Sequence, residues 1–169
     1  MINIRIENAE SIDEREAIRT VNAAAFDRTD EADLVDRLRA DGHALLSLVA
    51  VLEGSVVGHI LFSRMWIKTL SALVSAVALA PVAVLPEYQC KGFGGLLIQH
   101  GLELLRGRGE TVVIVLGHPE YYPRFGFSSS KARLLESPFP PEAFMAVELI
   151  TGALDGIQGA VIYPAPFGI

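Results

Sequence analysis

Three glycines stand within four residues, Gly92, Gly94 and Gly95, in the run VAVLPEYQCKGFGGLL at 82–97. Without a Cβ, glycine lets a bulky anion approach the backbone closely. The residues that follow are apolar at helical spacing and predict a helix over 92–108, with Leu96, Leu97, His100, Leu104 and Leu105 on one side. The first N–H groups of a helix have no internal partner, and the helix dipole favours negative charge at that end. Lys91 adds a positive charge beside them. A pyrophosphate is a natural guest for such a turn. A Walker A loop ends in Gly-Lys-Ser/Thr, whereas here Gly94-Gly95 leads to Leu96. A dinucleotide fingerprint needs G-x-G-x-x-G, and the glycine after Gly95 is Gly101. The competing reading is a glycine-rich helix start that binds nothing.

A second run with chemistry in it is GHPEYYPRFGF at 117–127. It brings one imidazole, His118, and two phenols, Tyr121 and Tyr122, into five residues. The one cysteine, Cys90, lies inside the glycine-rich turn, so no internal disulfide forms. No histidine, cysteine and carboxylate set shows ligand spacing, and no metal is expected.

These groups need a scaffold, and the chain is patterned for one. Ile2, Ile4 and Ile6 alternate as in a half-buried strand. Ser11 and Glu14 form a capping box for a helix with Ile18, Val21 and Ala25 on one face. Asp30 is placed to cap a second helix, with Leu34, Val35 and Leu38 inward and Asp41-Gly42 as its stop. Strands are predicted at 44–52 and 55–67 around a Glu53-Gly54 turn, and at 70–85. Pro81 cannot donate to a ladder, which predicts a bulge or unpaired edge in that third strand. A buried strand at 111–116, a short helix at 119–125 beginning with Pro119, and strands at 144–150 and 159–163 complete the pattern. The order predicts a mixed α/β domain with one central sheet. No linker interrupts it, so residues 1–169 are read as a single domain.

Composition excludes several classes. A net charge of −6 argues against general nucleic-acid binding. The greasiest stretch, 70–85, is short for a membrane span and is interrupted by Ser71, Ser75 and Pro81, so no membrane partner is expected. The N-terminus lacks the apolar centre of a signal peptide, and a lone cysteine suits a reducing compartment, so the expected location is cytoplasmic. Residues 1–42 hold 11 acids and 6 bases. That excess suits a cationic partner, or simply a pair of solvated helix faces.

The two motifs together resemble the GNAT superfamily of N-acetyltransferases. Gln89-Cys90-Lys91-Gly92-Phe93-Gly94 matches the family's Q/R-x-x-G-x-G/A, and Val84-Leu85-Pro86 matches the V-x-P before it. Tyr122-Pro123-Arg124-Phe125-Gly126-Phe127 is similar to the family's Y-x-x-x-G-F. The resemblance runs from about residue 2 to 150 and is strongest toward a bacterial branch of such enzymes. It implies the acyltransferase fold, a central mixed and largely antiparallel sheet flanked by helices, and acetyl-coenzyme A as co-substrate. The signature runs through Gln89 and Cys90, and the backbone amides of Lys91, Gly92, Phe93, Gly94 and Gly95 would hold the pyrophosphate. Val82, Ala83 and Val84 would bond the pantetheine arm as an added strand does. The implied reaction is direct attack by an amine in a ternary complex.

Such a transfer needs a neutral amine, a stabilised oxyanion and a proton for the departing thiolate. The resemblance makes Tyr122 the general acid, with Tyr121 taking the role if the register slips by one. A backbone N–H at 82–84 would serve the oxyanion. Water relays often replace a base in this family; otherwise Glu87, His118 and His59 are candidates in falling order, with each histidine read first as a satisfied structural or surface residue. Cys90 stands where relatives carry arginine or glycine, and is read as a reactive thiol or as a small half-buried filler. The asparagine that many relatives use on the pantetheine is missing from 117–127. The alternative function is therefore a non-catalytic acyl-coenzyme A binding or sensing module. The amine acceptor is unidentified; its site would be shaped by residues 26–39, which hold five acids. Relatives often dimerise, which leaves monomer and homodimer open.

Overall fold

The computed structural model describes all residues, Met1–Ile169. Its elements follow as β1 (Ile2–Ile6), α1 (Ile12–Phe26), α2 (Asp30–Ala40), β2 (Ala44–Leu52), β3 (Ser55–Lys68), β4 (Leu73–Val84), α3 (Phe93–Gly107), β5 (Val112–Leu116), β6 (Leu135–Glu136), β7 (Phe144–Glu148) and β8 (Gly159–Ile162). The strands form an open, mixed and mostly antiparallel sheet in the order β1-β2-β3-β4-β5-β7, with β8 pairing β3 and β6. The β4–β5 and β6–β8 ladders are parallel. The chain divides into two compact units, Met1–Ser63 with Ala80–Gly101, and Arg64–Leu79 with Leu102–Ile169.

In the first unit β1 pairs β2 antiparallel, Ile2 opposite Leu52 and Ile6 opposite Leu48. The strand lies at the sheet edge, which leaves Ile6 exposed rather than half-buried. Ser11 Oγ accepts the Glu14 N–H at 3.1 Å and caps α1. The box is only half formed, because the Glu14 carboxylate instead accepts from the Arg5 guanidinium and the Asn8 N–H. Asp30 is not the cap of α2; Thr29 holds that position and Asp30 opens the helix, where with Glu31 and Asp33 it complements the dipole. Gly42, at φ +76°, follows the end of α2 as expected. Glu53 and Gly54 both have positive φ, the geometry of the tight turn joining β2 and β3. Ile18, Val21, Val35 and Leu38 from the helices and Leu48, Ile60 and Phe62 from the strands are buried.

The core of the second unit gathers Met65, Ile67, Ala76, Ala78, Val112, Ile114, Phe144 and Ala146. Here β7 pairs β5 antiparallel along its whole length, from Val112–Glu148 to Leu116–Phe144. Arg64 forks onto Glu110 at 2.6 and 3.0 Å and also donates to the Ala76 carbonyl. The short helix expected from Pro119 begins later: a 3₁₀ turn spans Tyr122–Phe125, and Pro123 sits in its first turn.

Helix α3 buries Leu97, Ile98, Gly101, Leu102 and Leu105. His100 and Leu104 are exposed, so the inward face is rotated from the expected one. Gly101 explains the rotation. A Cβ there would lie 2.2 Å from the Phe62 ring, so the helix seats its bare backbone on that ring.

Candidate functional site

The glycine-rich turn lies wholly in the first unit. It starts from β4, whose parallel ladder with β5 consists of only two pairs, Val77–Val113 and Ala78–Ile114. Strand β4 continues to Val84 with no β5 partner. Pro81 carries no N–H in this stretch, as the expected unpaired edge requires. Leu85 N–H donates to the Val57 carbonyl at 2.9 Å. A 3₁₀ turn at Pro86–Tyr88 then reverses the chain, and Gln89 Nε2 donates back to the Val84 carbonyl at 2.9 Å. That clamp ties the start of the turn to the end of the strand. It is not legible from sequence, because Pro86 and its turn must form before the side chain can reach back five residues.

Cys90 and Gly92 both have left-handed backbones, at φ +62° and +85°. A Cβ added at Gly92 would meet nothing within 4 Å, so glycine is needed there for its dihedral angle and the space beside it is open. The Leu96 N–H bonds to the Gly92 carbonyl at 3.1 Å. Phe93, Gly94 and Gly95 open α3 ahead of it, where a helical N–H has no acceptor within the helix. The Lys91 ammonium lies 5.7 Å from the centroid of the Tyr88 ring, and both Lys91 and Gly92 are exposed. Cys90 is exposed too, which removes its reading as a half-buried filler. These are the features an anion cradle needs: free amides, open space and one cation. Glu87 sits in the 3₁₀ turn and is exposed.

Tyr122 and His118 belong to the second unit. Gly117 donates its N–H to the Ala143 carbonyl at 3.0 Å. A Cβ on Gly117 would lie 2.2 Å from the Tyr122 ring, so glycine is what lets the ring seat there. Edge-on contacts with Phe127 at 5.7 Å and Tyr121 at 5.2 Å complete the packing. Tyr122 is 8% exposed, and burial, with the neighbouring Tyr121, pushes its phenol up to about 12. Tyr121 is half-buried, and the Arg124 guanidinium lies over its ring at 4.7 Å. The His118 carbonyl accepts from both tyrosine amides, while its imidazole is in an exposed residue.

His59 takes the structural one of its two readings. It is fully buried, its Nε2 bonded to Ser47 Oγ at 2.8 Å and its Nδ1 to Asn22 Nδ2 at 3.1 Å. Burial, then the charge of Arg39, drops it to about 3, so it stays neutral and is structural. The acids at 26–39 are also less available than their number suggests. Arg19 binds Asp33 and Asp36 at 2.8 and 2.7 Å, and Arg28 binds Glu31 at 2.5 Å with Asp30 at 4.0 Å. No helix is long and apolar enough to cross a membrane.

Comparison with known proteins agrees with this arrangement. A family model described as the acetyltransferase (GNAT) family matches residues 9–127. The chain is 51% identical over 112 residues to the uncharacterized N-acetyltransferase YjhQ of Escherichia coli (strain K12), a match covering 65% of this chain and 62% of that protein. It thus spans less than two thirds of that relative's length. The crystal structure of the GNAT family N-acetyltransferase YhbS from Escherichia coli in complex with CoA superposes with a TM-score of 0.89 at 32% identity, covering 99% of this chain and 92% of that one. A GNAT family acetyltransferase from Brucella melitensis in complex with acetyl-CoA superposes at 0.81 with 37% identity, covering 99% and 98%. The fold and these matches agree: the chain belongs to the acetyltransferase (GNAT) family.

Proposed function

We propose that this chain moves the acetyl group of acetyl-CoA to a primary amine by direct attack, with both substrates bound at once. The observation that carries this reading is the open cradle at residues 91–95, placed after a stretch of β4 that has no partner on its β5 side. The amides of Lys91, Gly92, Phe93, Gly94 and Gly95 hold the pyrophosphate, with Gln89 and Cys90 leading into it. The backbone of Val82, Ala83 and Val84 takes the pantetheine as a strand edge takes an added strand. Bound there, the co-substrate supplies a thioester carbonyl activated toward amines.

The protein's own groups divide the remaining work. A backbone N–H at 82–84 donates to the carbonyl oxygen. Tyr122 holds its proton through the neutral range, since burial raises its phenol, and releases it to the leaving sulfur. Glu87 and His118 are both exposed, so either passes the amine's proton directly to water. Because Asp33, Asp36 and Glu31 are already paired to arginines, a strongly cationic acceptor gains less from α2 than the acid count implies.

The test is thiol release from acetyl-CoA across small amines and peptides. Turnover with at least one primary amine is expected. Tight co-substrate binding with no turnover on any acceptor would overturn the reading in favour of a non-catalytic binding module.

A further inference from the structure

The second unit contains a cavity of about 520 Å³ lined only by residues from 129–144, beyond the stretch matched by the family model. Its volume lies in the range of small-molecule sites. Its floor is apolar: Ala132, Leu135 and Phe144 are buried, and Phe139 stacks on Phe144 at 6.3 Å. Its rim carries one charge of each sign, Arg133 and Glu142, both exposed. Neither forms an ion pair, with the other or with another residue. One Nη1 of Arg133 donates to the Ser130 carbonyl at 2.9 Å, which restrains the side chain and leaves the rest of its fork unbonded.

We propose that this cavity is a binding site for a small zwitterion with an apolar body, the chemistry of a free apolar amino acid. The apolar floor takes the side chain. Arg133 takes the carboxylate, which matches a guanidinium fork two oxygens at a time. Glu142 takes the ammonium. A guanidinium and a carboxylate lining one cavity over an apolar floor select a ligand that carries both charges. The site concerns binding alone and stands whether or not its ligand is acetylated.

Titration of the full chain with L-phenylalanine, phenethylamine and 3-phenylpropionate, followed by amide NMR, tests this. Phenylalanine should bind saturably and shift amides within residues 129–144. Each single-charge analogue should bind about tenfold more weakly. Arg133→Gln should cost phenylalanine about tenfold while leaving phenethylamine unchanged, and Glu142→Gln should cost phenylalanine about tenfold while leaving 3-phenylpropionate unchanged. Both side chains are exposed, so the variants keep the fold. Absence of saturable phenylalanine binding, equal binding of all three probes, or shifts confined to 89–95 overturns the proposal. None of these outcomes bears on acetyl transfer, so the two readings fail separately.

Discussion

Replacing Tyr122 by Phe removes one hydroxyl and leaves the packing of the ring in place. The ring is held by Gly117, Phe127 and Tyr121, and none of those contacts uses the oxygen. No hydrogen bond within the protein engages that hydroxyl, so its loss orphans no partner. A substitution that creates no cavity and no unpaired polar group shifts stability by about 0.5 kcal/mol or less. For a chain of this length that is a melting shift of about 1–2 °C. The cradle at 91–95 contains no atom of Tyr122, so the Kd for acetyl-CoA should stay within about twofold. The rate is different. A positioned acid contributes about 100-fold or more, so kcat should fall by at least that factor, about 2.7 kcal/mol of barrier. The raised phenol adds a second expectation. Wild-type activity should show no alkaline fall due to Tyr122 below about pH 11, one unit short of its raised value near 12. Thiol release gives kcat, calorimetry gives Kd, and a thermal melt gives stability. An unchanged kcat removes Tyr122 from the mechanism. A lost rate accompanied by lost co-substrate binding would assign it to structure instead.

Other perturbations probe the scaffold. The buried His59 stays neutral in the fold at about 3, while the unfolded chain protonates it near 6.5, so stability must fall as the pH drops between those values. The slope is about 1.4 kcal/mol per pH unit, or about 2 kcal/mol lost by about pH 5. His59→Gln, which bonds without titrating, should flatten that dependence in urea melts; an unchanged slope would place its origin elsewhere. Gly101→Ala drives a Cβ to 2.2 Å from the Phe62 ring and should cost about 1–3 kcal/mol of stability, and a neutral melt would contradict the seating of α3. Gln89→Ala removes the clamp on the Val84 carbonyl, worth about 1 kcal/mol, and should weaken acetyl-CoA about fivefold with a melting shift of no more than about 2–4 °C. An unaltered affinity would show that the turn keeps its shape without the clamp.

Much of the fold was legible because its elements carry strong local signals. The β2–β3 hairpin is marked by Glu53-Gly54 between two apolar runs, and β5 by a continuous valine and isoleucine stretch. What escaped depends on partners distant in sequence. The inward face of α3 centres on Gly101, which scores as neutral in any apolar pattern and is buried only because Phe62 approaches it. His59 sits in a strand buried on both faces from Val57 to Ser63, where alternation carries no information about direction. Strand β6 has two residues, too few for any period. At the site, the glycines and Pro81 announced the cradle and the unpaired edge. The pairing of the α2 acids with Arg19 was hidden, since Arg19 lies a helix earlier in the chain.

The central claim is that the first amides of α3 and the turn before it hold the co-substrate's pyrophosphate. Amide hydrogen exchange with and without saturating acetyl-CoA measures this directly. The account predicts that the N–H groups of Lys91, Gly92, Phe93, Gly94 and Gly95 exchange rapidly in the free protein and become protected in the complex. Saturable binding that leaves those five amides exchanging at their free rate would contradict it.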